Sequence, residues 1–387
     1  MMDKWVEVNL DKIANNFLEV RNFVADETKI LGVVKADAYG HGIIESSREL
    51  QRQGIDYLGV TEVSEGIKLR RAGIFVPILI FSSCLEEELE YTKRYNLTIT
   101  LNNLELIQFI VGKQIELKVH LKVETGLGRT GIKVGQLPEI IDILKENPQI
   151  EVEGLYTHLA TAMWREKSFV DKQFSEFNKA IKLLTEKGVS IPLKHICNSS
   201  ALVKYPKMHL DMVRAGTILY GQDEGGQVFS GKMQDPWSLK AKVIYLNQLE
   251  KGHSVGYERI YVLKRKSKIA VVAIGFYHGF SVEPIAHPKK ILDLTKILAK
   301  TFLRFINHPR MKTYGYIKGK RVPVVGKVGM QLTMLDVTDV VDIQIGDIVE
   351  LTARRTNLST LIPKLYIKEN EIISQSSYEE ISTLEVQ

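Results

Sequence analysis

The chemistry of this 387-residue chain begins at Val33-Val34-Lys35-Ala36-Asp37-Ala38-Tyr39-Gly40-His41-Gly42. A lysine ends an apolar run, and a loop rich in Gly, His and Tyr leads into a helix. An amine held in a partly desolvated mouth can form a Schiff base with an aldehyde cofactor. A strand-end lysine that only snorkels to solvent reads the same way. A second block, Lys122-Val123-Glu124-Thr125-Gly126-Leu127-Gly128-Arg129-Thr130-Gly131, contains Gly-x-Gly-x-x-Gly. That spacing marks dinucleotide binding in the first strand-to-helix turn of a Rossmann unit. Here it follows about the sixth strand, so it reads better as a tight loop aiming Arg129 at an anion. Tyr156-Thr157-His158 ends another run, where a lone histidine serves structure as readily as chemistry. In His195-Ile196-Cys197-Asn198-Ser199-Ser200, Ser199 either donates to a phosphate or caps the next helix. In Asp211–Gly221, the Gly216 and Thr217 N–H groups can cradle a phosphate, and Arg214 can face the same cavity.

Other chemistries lack their residues. There is no H-E-x-x-H, no C-x-x-C, no acidic calcium loop and no Walker A lysine, so no metal site is expected. No G-x-S-x-G elbow is present. Cys84 and Cys197 are the only cysteines, too few for a disulfide framework. The 52 basic and 46 acidic residues leave a net charge of +6, mostly interspersed, which argues against a nucleic-acid partner. Apolar runs such as Val76–Phe81 are far shorter than a bilayer span. The N-terminus shows no apolar signal region. A cytoplasmic protein with no membrane partner is expected.

The elements that must position these residues alternate over the first 235 or so positions. β-Branched runs at Trp5–Leu10, Ile30–Lys35, Tyr57–Thr61, Val76–Phe81, Leu97–Leu101, Leu117–Val123, Val152–His158, His195–Ser199 and Met212–Tyr220 enclose helical stretches. Leu10–Val24, Val134–Leu144 and Phe169–Leu184 have helical spacing. Such alternation predicts βαβ units and a parallel sheet. About eight repeats fit a closed (β/α)8 TIM barrel better than an open sheet. After Pro236 the texture becomes strands without long helices: Leu239–Leu246, Lys268–Ile274, Arg321–Val325, Thr333–Val337 and Asp347–Leu351. The expected division is a barrel over 1–235 and a mostly antiparallel β domain over 236–387. A helical insertion near 281–314 interrupts the latter. Within it, Lys289–Ile306 has Ile291, Leu294, Leu298, Phe302 and Phe305 on one side and Lys290, Lys296, Lys300 and Arg304 on the other. The simplest reading is a surface helix with a core-facing stripe. Membrane-surface attachment and an anionic ligand are the alternatives.

Taken in order, these blocks resemble the alanine racemase family, which uses pyridoxal 5′-phosphate (PLP). The resemblance spans nearly the whole chain. It adds His253-Ser254-Val255-Gly256-Tyr257, Val324–Met330 and Ser377-Tyr378-Glu379 in the second domain. It implies that Lys35 carries the cofactor, with Tyr39, Asn198, Ser199, Gly216, Thr217 and Tyr378 around it, several of them on the phosphate. Arg214 would face the pyridine nitrogen. An arginine does not readily give up a proton, so the ring would stay a weak electron sink, which favours racemisation over transamination. Lys35 and Tyr257 would be the two bases, the tyrosine coming from the partner of a homodimer. His158 would hydrogen-bond between that tyrosine and Arg214. Arg129 would meet the cofactor and the substrate carboxylate, with Met330 also on the substrate. Lys122 matches a lysine that is carbamylated in some members. The implied function is a PLP-dependent interconversion of L- and D-alanine.

Three departures bear on the substrate. Ile274-Gly275-Phe276-Tyr277-His278-Gly279 stands where the family has Ile-Gly-Tyr-Ala-Asp-Gly. Gln331-Leu332 follow Met330 in place of Asp-Gln. Phe280–Tyr314 is about twenty residues longer than the family norm. A racemase of serine or another amino acid is therefore an alternative, as is a non-catalytic PLP-binding homologue. A barrel-type decarboxylase would want a late cysteine–aspartate motif, which is missing.

Overall fold

In a computed structural model, residues 2–163, 167–222, 228–229, 231–283, 288, 291–306, 308 and 311–376 are described. The chain divides into two compact units. One is Leu10–Pro236; the other joins the N-terminal strand to the chain from Trp237 onward.

The first unit is the barrel. Its parallel strands are Lys29–Val33, Tyr57–Val60, Ile78–Ile80, Ile99–Leu101, Leu117–Glu124, Ile150–Tyr156, Leu193–His195 and Met212–Ala215. Met212–Ala215 pairs with Lys29–Val33, so the last strand returns to the first. A single bridge, Leu79 to Thr98, links the two halves on one side. On the other side, Asp211 N–H donates to Lys194 O and Arg214 N–H to Cys197 O. Strands such as Tyr57–Val60 and Met212–Ala215 are buried along their whole length, as a sheet covered on both faces requires. Leu31, Val33, Tyr57, Leu79, Leu193 and Met212 form one core cluster. The expected helices appear as Leu10–Phe23, Leu137–Glu146 and Ser168–Glu186.

The run at Trp5–Leu10 was expected to open the barrel. Instead Lys4–Asn9 belongs to the second unit. It pairs antiparallel with Trp237–Leu249 and parallel with Lys364–Lys368. Its unsatisfied backbone groups find partners more than two hundred positions away, a choice no local pattern encodes. The second unit is otherwise antiparallel. Trp237–Leu249 bonds both Ile348–Leu351 and Ser267–Val272, with an irregularity between Val243 and Tyr245 that lets one long strand serve two neighbours. Lys318-Gly319 makes the two-residue turn between Tyr314–Ile317 and Lys320–Val325, with φ of 47° and 75°. Both positive values suit a tight hairpin.

The insertion helix forms as Ile291–Phe305, but its stripe is not core-facing. None of its residues is buried, and Phe302 and Phe305 are 61% and 82% exposed. Amphipathic spacing fixes that a helix has two faces; it leaves open which one meets the protein.

Candidate active site

At the carboxyl ends of the barrel strands lies a cavity of about 230 Å³. Lys35, Tyr39, Lys122, Arg129, His158, Asn198, Ser199, Arg214, Gly216 and Thr217 all line it. Every barrel position singled out in the sequence is therefore brought together. No aspartate or glutamate is among the lining residues. Four cationic side chains facing one cavity without an acid favour an anionic occupant.

Lys35 directly follows the strand-end pair Val33-Val34. The next four residues, Ala36 to Tyr39, all have left-handed backbone angles, with φ between 51° and 55°. For residues with a Cβ this costs roughly 1–2 kcal/mol each. Fixed bonds offset the cost. Glu65 accepts from Ala36 N–H at 2.7 Å, Asp37 Oδ1 accepts from Ile43 N–H at 2.9 Å, and His41 Nδ1 meets Ala38 O at 2.8 Å. The His41 ring also stacks on buried Tyr220, centroids 4.5 Å apart. The turn swings Tyr39 back toward the cavity immediately after the lysine. Burial holds the Lys35 amine below its ordinary range, helped by Arg129 and opposed by Glu65. A lowered amine is more often neutral, hence a better nucleophile and base.

Glu124 organises the glycine loop. Its carboxylate accepts from the N–H groups of Gly126, Gly128 and Arg129. Burial pushes its pKa up, but these backbone bonds prevail and hold it low. Lys122, two residues earlier on the same strand, donates to Thr130 Oγ1 at 2.7 Å. Burial, then Arg129 and Arg214, lower its amine to about 8.

Arg214 is buried and finds no carboxylate. Its guanidinium donates to His195 Nδ1 at 2.9 Å and to the carbonyls of His195, Thr157 and Ile196 at 3.2, 2.8 and 3.0 Å. Burial lowers its pKa to about 10, which leaves it charged at neutral pH. Because His195 Nδ1 accepts from Arg214, its Nε2 carries the proton and donates to His120 Nδ1 at 2.9 Å. The far nitrogen of His120 lies 3.6 Å from Glu153. A buried line thus runs from the arginine to a carboxylate behind the cavity. Tyr156 completes it, stacking on His195 at 4.8 Å with the Arg214 guanidinium 5.4 Å from its ring. Gly154 makes room for this line: a Cβ there would sit 2.3 Å from the His120 ring.

His158 shares the cavity with Arg214, but no hydrogen bond joins them among the described residues. Burial, then the charges of Arg214, Arg129, Lys122 and Lys35, push the imidazole down to about 3. It is therefore neutral.

A phosphate fits the remaining wall. Ser199 Oγ accepts from Gly216 N–H at 2.9 Å, which leaves its hydroxyl proton to donate elsewhere. Asn198 caps the following helix by accepting from Ala201 N–H at 3.0 Å, so the capping role is not Ser199's. A Cβ at Gly216 would lie 3.0 Å from Tyr39 Oη and 3.6 Å from Ser199 Oγ, in the space these donors surround.

Comparison with known proteins decides the family. The description "Alanine racemase, N-terminal domain" matches residues 8–224, and "Alanine racemase, C-terminal domain" matches 237–379. This chain belongs to the alanine racemase family. It is 33% identical to alanine racemase 2 of Caldanaerobacter subterraneus subsp. tengcongensis, over 96% of this chain and 97% of that one. It is 35% identical to the alanine racemase of Methanococcus maripaludis, over 89% and 87%. The solved alanine racemase of Clostridium difficile 630 superposes with a TM-score of 0.85 at 30% identity, covering 98% of this chain and 99% of that chain. That of Bacillus anthracis, solved with bound L-Ala-P, gives 0.83 at 26% identity, covering 98% and 99%. The chain is a racemase, an isomerase, with the family's barrel and β domain.

Two expected site residues of this racemase belong to the second unit. Tyr257 is 70% exposed on the short turn Tyr257–Arg259, and Met330 is 60% exposed. Tyr378 lies outside the described residues. One altered segment bonds the residues just before the other: Phe276 and Tyr277 N–H donate to Gly329 O and Met330 O, both at 3.0 Å. His278 Nδ1 accepts from Gly275 N–H at 3.1 Å, so the imidazole takes a turn bond of the kind a carboxylate can accept.

Sequence reading quoted Tyr156, His195 and Ser200 in its motifs but gave them no role, and it missed His120 and the lining residues Phe81 and Met163. His120 carried a signal. It precedes Lys122 by two positions on one strand, so both point to the same face. Among the described residues no group of three or more His, Cys, Asp or Glu is arranged to hold a metal, and no helix is long and apolar enough to cross a membrane.

Proposed function

We propose that this racemase interconverts L- and D-alanine with PLP held in the barrel cavity, acting as a homodimer with Lys35 and Tyr257 as its two bases. The observation that carries the reading is the Lys35 amine, lowered by burial, facing a cavity with cations and no acid. When bound, the cofactor supplies an electron sink for the charge left at the substrate Cα. Ser199, Tyr39 and the backbone at Gly216 and Thr217 hold its phosphate. Arg214, fixed by His195 and three carbonyls, presents a cation that gives up no proton to the cofactor ring. Arg129 receives the substrate carboxylate, and a carbamate on Lys122, whose amine is lowered to about 8, would orient it.

Lys35 Nζ takes or returns the Cα proton on one face. The Tyr257 hydroxyl of a second copy does so on the other. Neutral His158 offers a hydrogen bond toward that tyrosine without adding charge. The dimer is supported by the exposed apolar rim of the β unit, where Tyr257, Phe276, Tyr277 and Met330 are 50–70% exposed in one copy. That rim includes the residues that depart from the family, so a different preferred amino acid is the second reading.

The test is a chiral chromatography screen of the PLP-loaded enzyme with each L-amino acid. D-alanine as the dominant product is expected. Another dominant product assigns the Phe276–His278 and Gln331-Leu332 changes to specificity. No D-product, with cofactor bound, overturns the proposal in favour of a non-catalytic homologue.

A further inference from the structure

The helix Ile291–Phe305 turns its apolar stripe outward. At about 100° per residue, Ile291, Leu294, Leu298, Phe302 and Phe305 share one face. All five are 40–82% exposed. The opposite side carries the polar residues. Lys300 and Arg304 pair with Glu283 at 3.4 and 3.0 Å, and Asp293 and Ile297 are half-buried. Lone exposed apolar residues need no explanation, but a continuous exposed stripe does.

Charge identifies what the stripe suits. Residues 289–312 contain seven Lys or Arg and one Asp, a net +6. The whole chain also carries +6, so the rest of it is balanced. A second copy of the stripe would bring two such segments within about one Debye length, roughly 10 Å. An anionic lipid surface offers the stripe an apolar medium and the lysines a counter-charge. At about 1.5 Å per residue the helix is too short for a hydrocarbon core of roughly 30 Å, which suits lying on the surface rather than crossing.

We propose that Ile291–Phe305 docks this racemase on an anionic phospholipid surface through its apolar stripe, drawn there by the net positive charge of the segment. This takes up the membrane-surface alternative that the spacing of Lys289–Ile306 offers.

The test is co-sedimentation of the cofactor-loaded enzyme with vesicles of phosphatidylcholine alone and of phosphatidylcholine mixed with phosphatidylglycerol. Binding at least about tenfold stronger to the anionic vesicles, and lost at high salt, is expected. The double variant Leu298→Ser/Phe302→Ser should lower that binding by more than about tenfold while racemase activity stays unchanged. Lys296→Gln, which leaves the stripe intact, should lower it roughly fivefold. No binding of the wild-type enzyme to anionic vesicles overturns the proposal. So does equal binding by the double variant. Lipid-free self-association that the double variant relieves also overturns it, assigning the stripe to a second copy.

Discussion

Lys35 and Tyr257 are proposed for the same task, yet the chain treats them in opposite ways. The lysine is half-buried at a strand end, locked by a left-handed turn, and its amine is lowered by surroundings within its own unit. The tyrosine is 70% exposed on a short turn whose next residue, Glu258, has φ of 60° and pairs with Lys327 at 2.6 Å. One base is finished by its own unit. The other is presented, and whatever completes its setting must come from outside that turn. Such a division makes the tyrosine cheap to alter structurally and the barrel wall expensive.

The comparison can be broken most forcefully at the lysine. Lys35→Ala should remove racemase activity by roughly 10³-fold or more, together with the visible absorbance of bound cofactor. Retention of either would move the site elsewhere. Tyr257→Phe should lose roughly 10²-fold or more of the interconversion in both directions, since one direction needs the tyrosine to take the proton and the other needs it to return one, while solvent deuterium exchange persists for the single enantiomer whose Cα proton Lys35 takes. Its melting temperature should not move, because the residue is exposed. Deuterium exchange into both enantiomers alike after this change would defeat the two-base assignment.

Smaller effects sharpen the contrast inside the barrel. His195→Leu removes the acceptor of Arg214 and the partner of His120, so urea unfolding should show a loss of about 1–3 kcal/mol. Activity should fall with it, and the pH profile of kcat should shift, which a purely structural role would not produce. An unchanged profile would reduce His195 to packing. The mildest test is acid. His120, His158 and His195 are all lowered, first by burial, with His158 at about 3. The unfolded chain takes up these protons near pH 6.5; the folded barrel takes them up only at lower pH. Stability is thus complete above that value and drains away as pH falls toward about 3. Urea midpoints that stay flat from about pH 7 to about pH 5 would contradict the neutral, buried assignment.

The barrel cavity was legible in advance because its key residues sit where apolar runs end, and strand ends of a parallel barrel share one mouth. Lys35 and His158 follow that rule; Arg214 stands near the start of its run, Met212–Tyr220, and reaches the mouth because the strand itself stops at Ala215. The line from Arg214 through His195 and His120 to Glu153 was not legible. Its members lie on four strands, and their meeting depends on barrel closure and on the missing Cβ of Gly154. The exposed stripe of Ile291–Phe305 was half legible: spacing gave two faces, and only the structure leaves the apolar one uncovered.

By itself, the sequence determined the alternation of strands and helices, the change of texture after Pro236, the chemical types at the strand ends and the family resemblance. These are local periodicities and ordered motifs, and local backbone preferences and side-chain chemistry suffice to read them. Tertiary structure decided that Lys4–Asn9 leaves the barrel for the β unit, which histidines stand behind Arg214, and how far each lysine is desolvated. Those outcomes rest on pairings between distant segments and on burial, and neither is a property of any short stretch of chain.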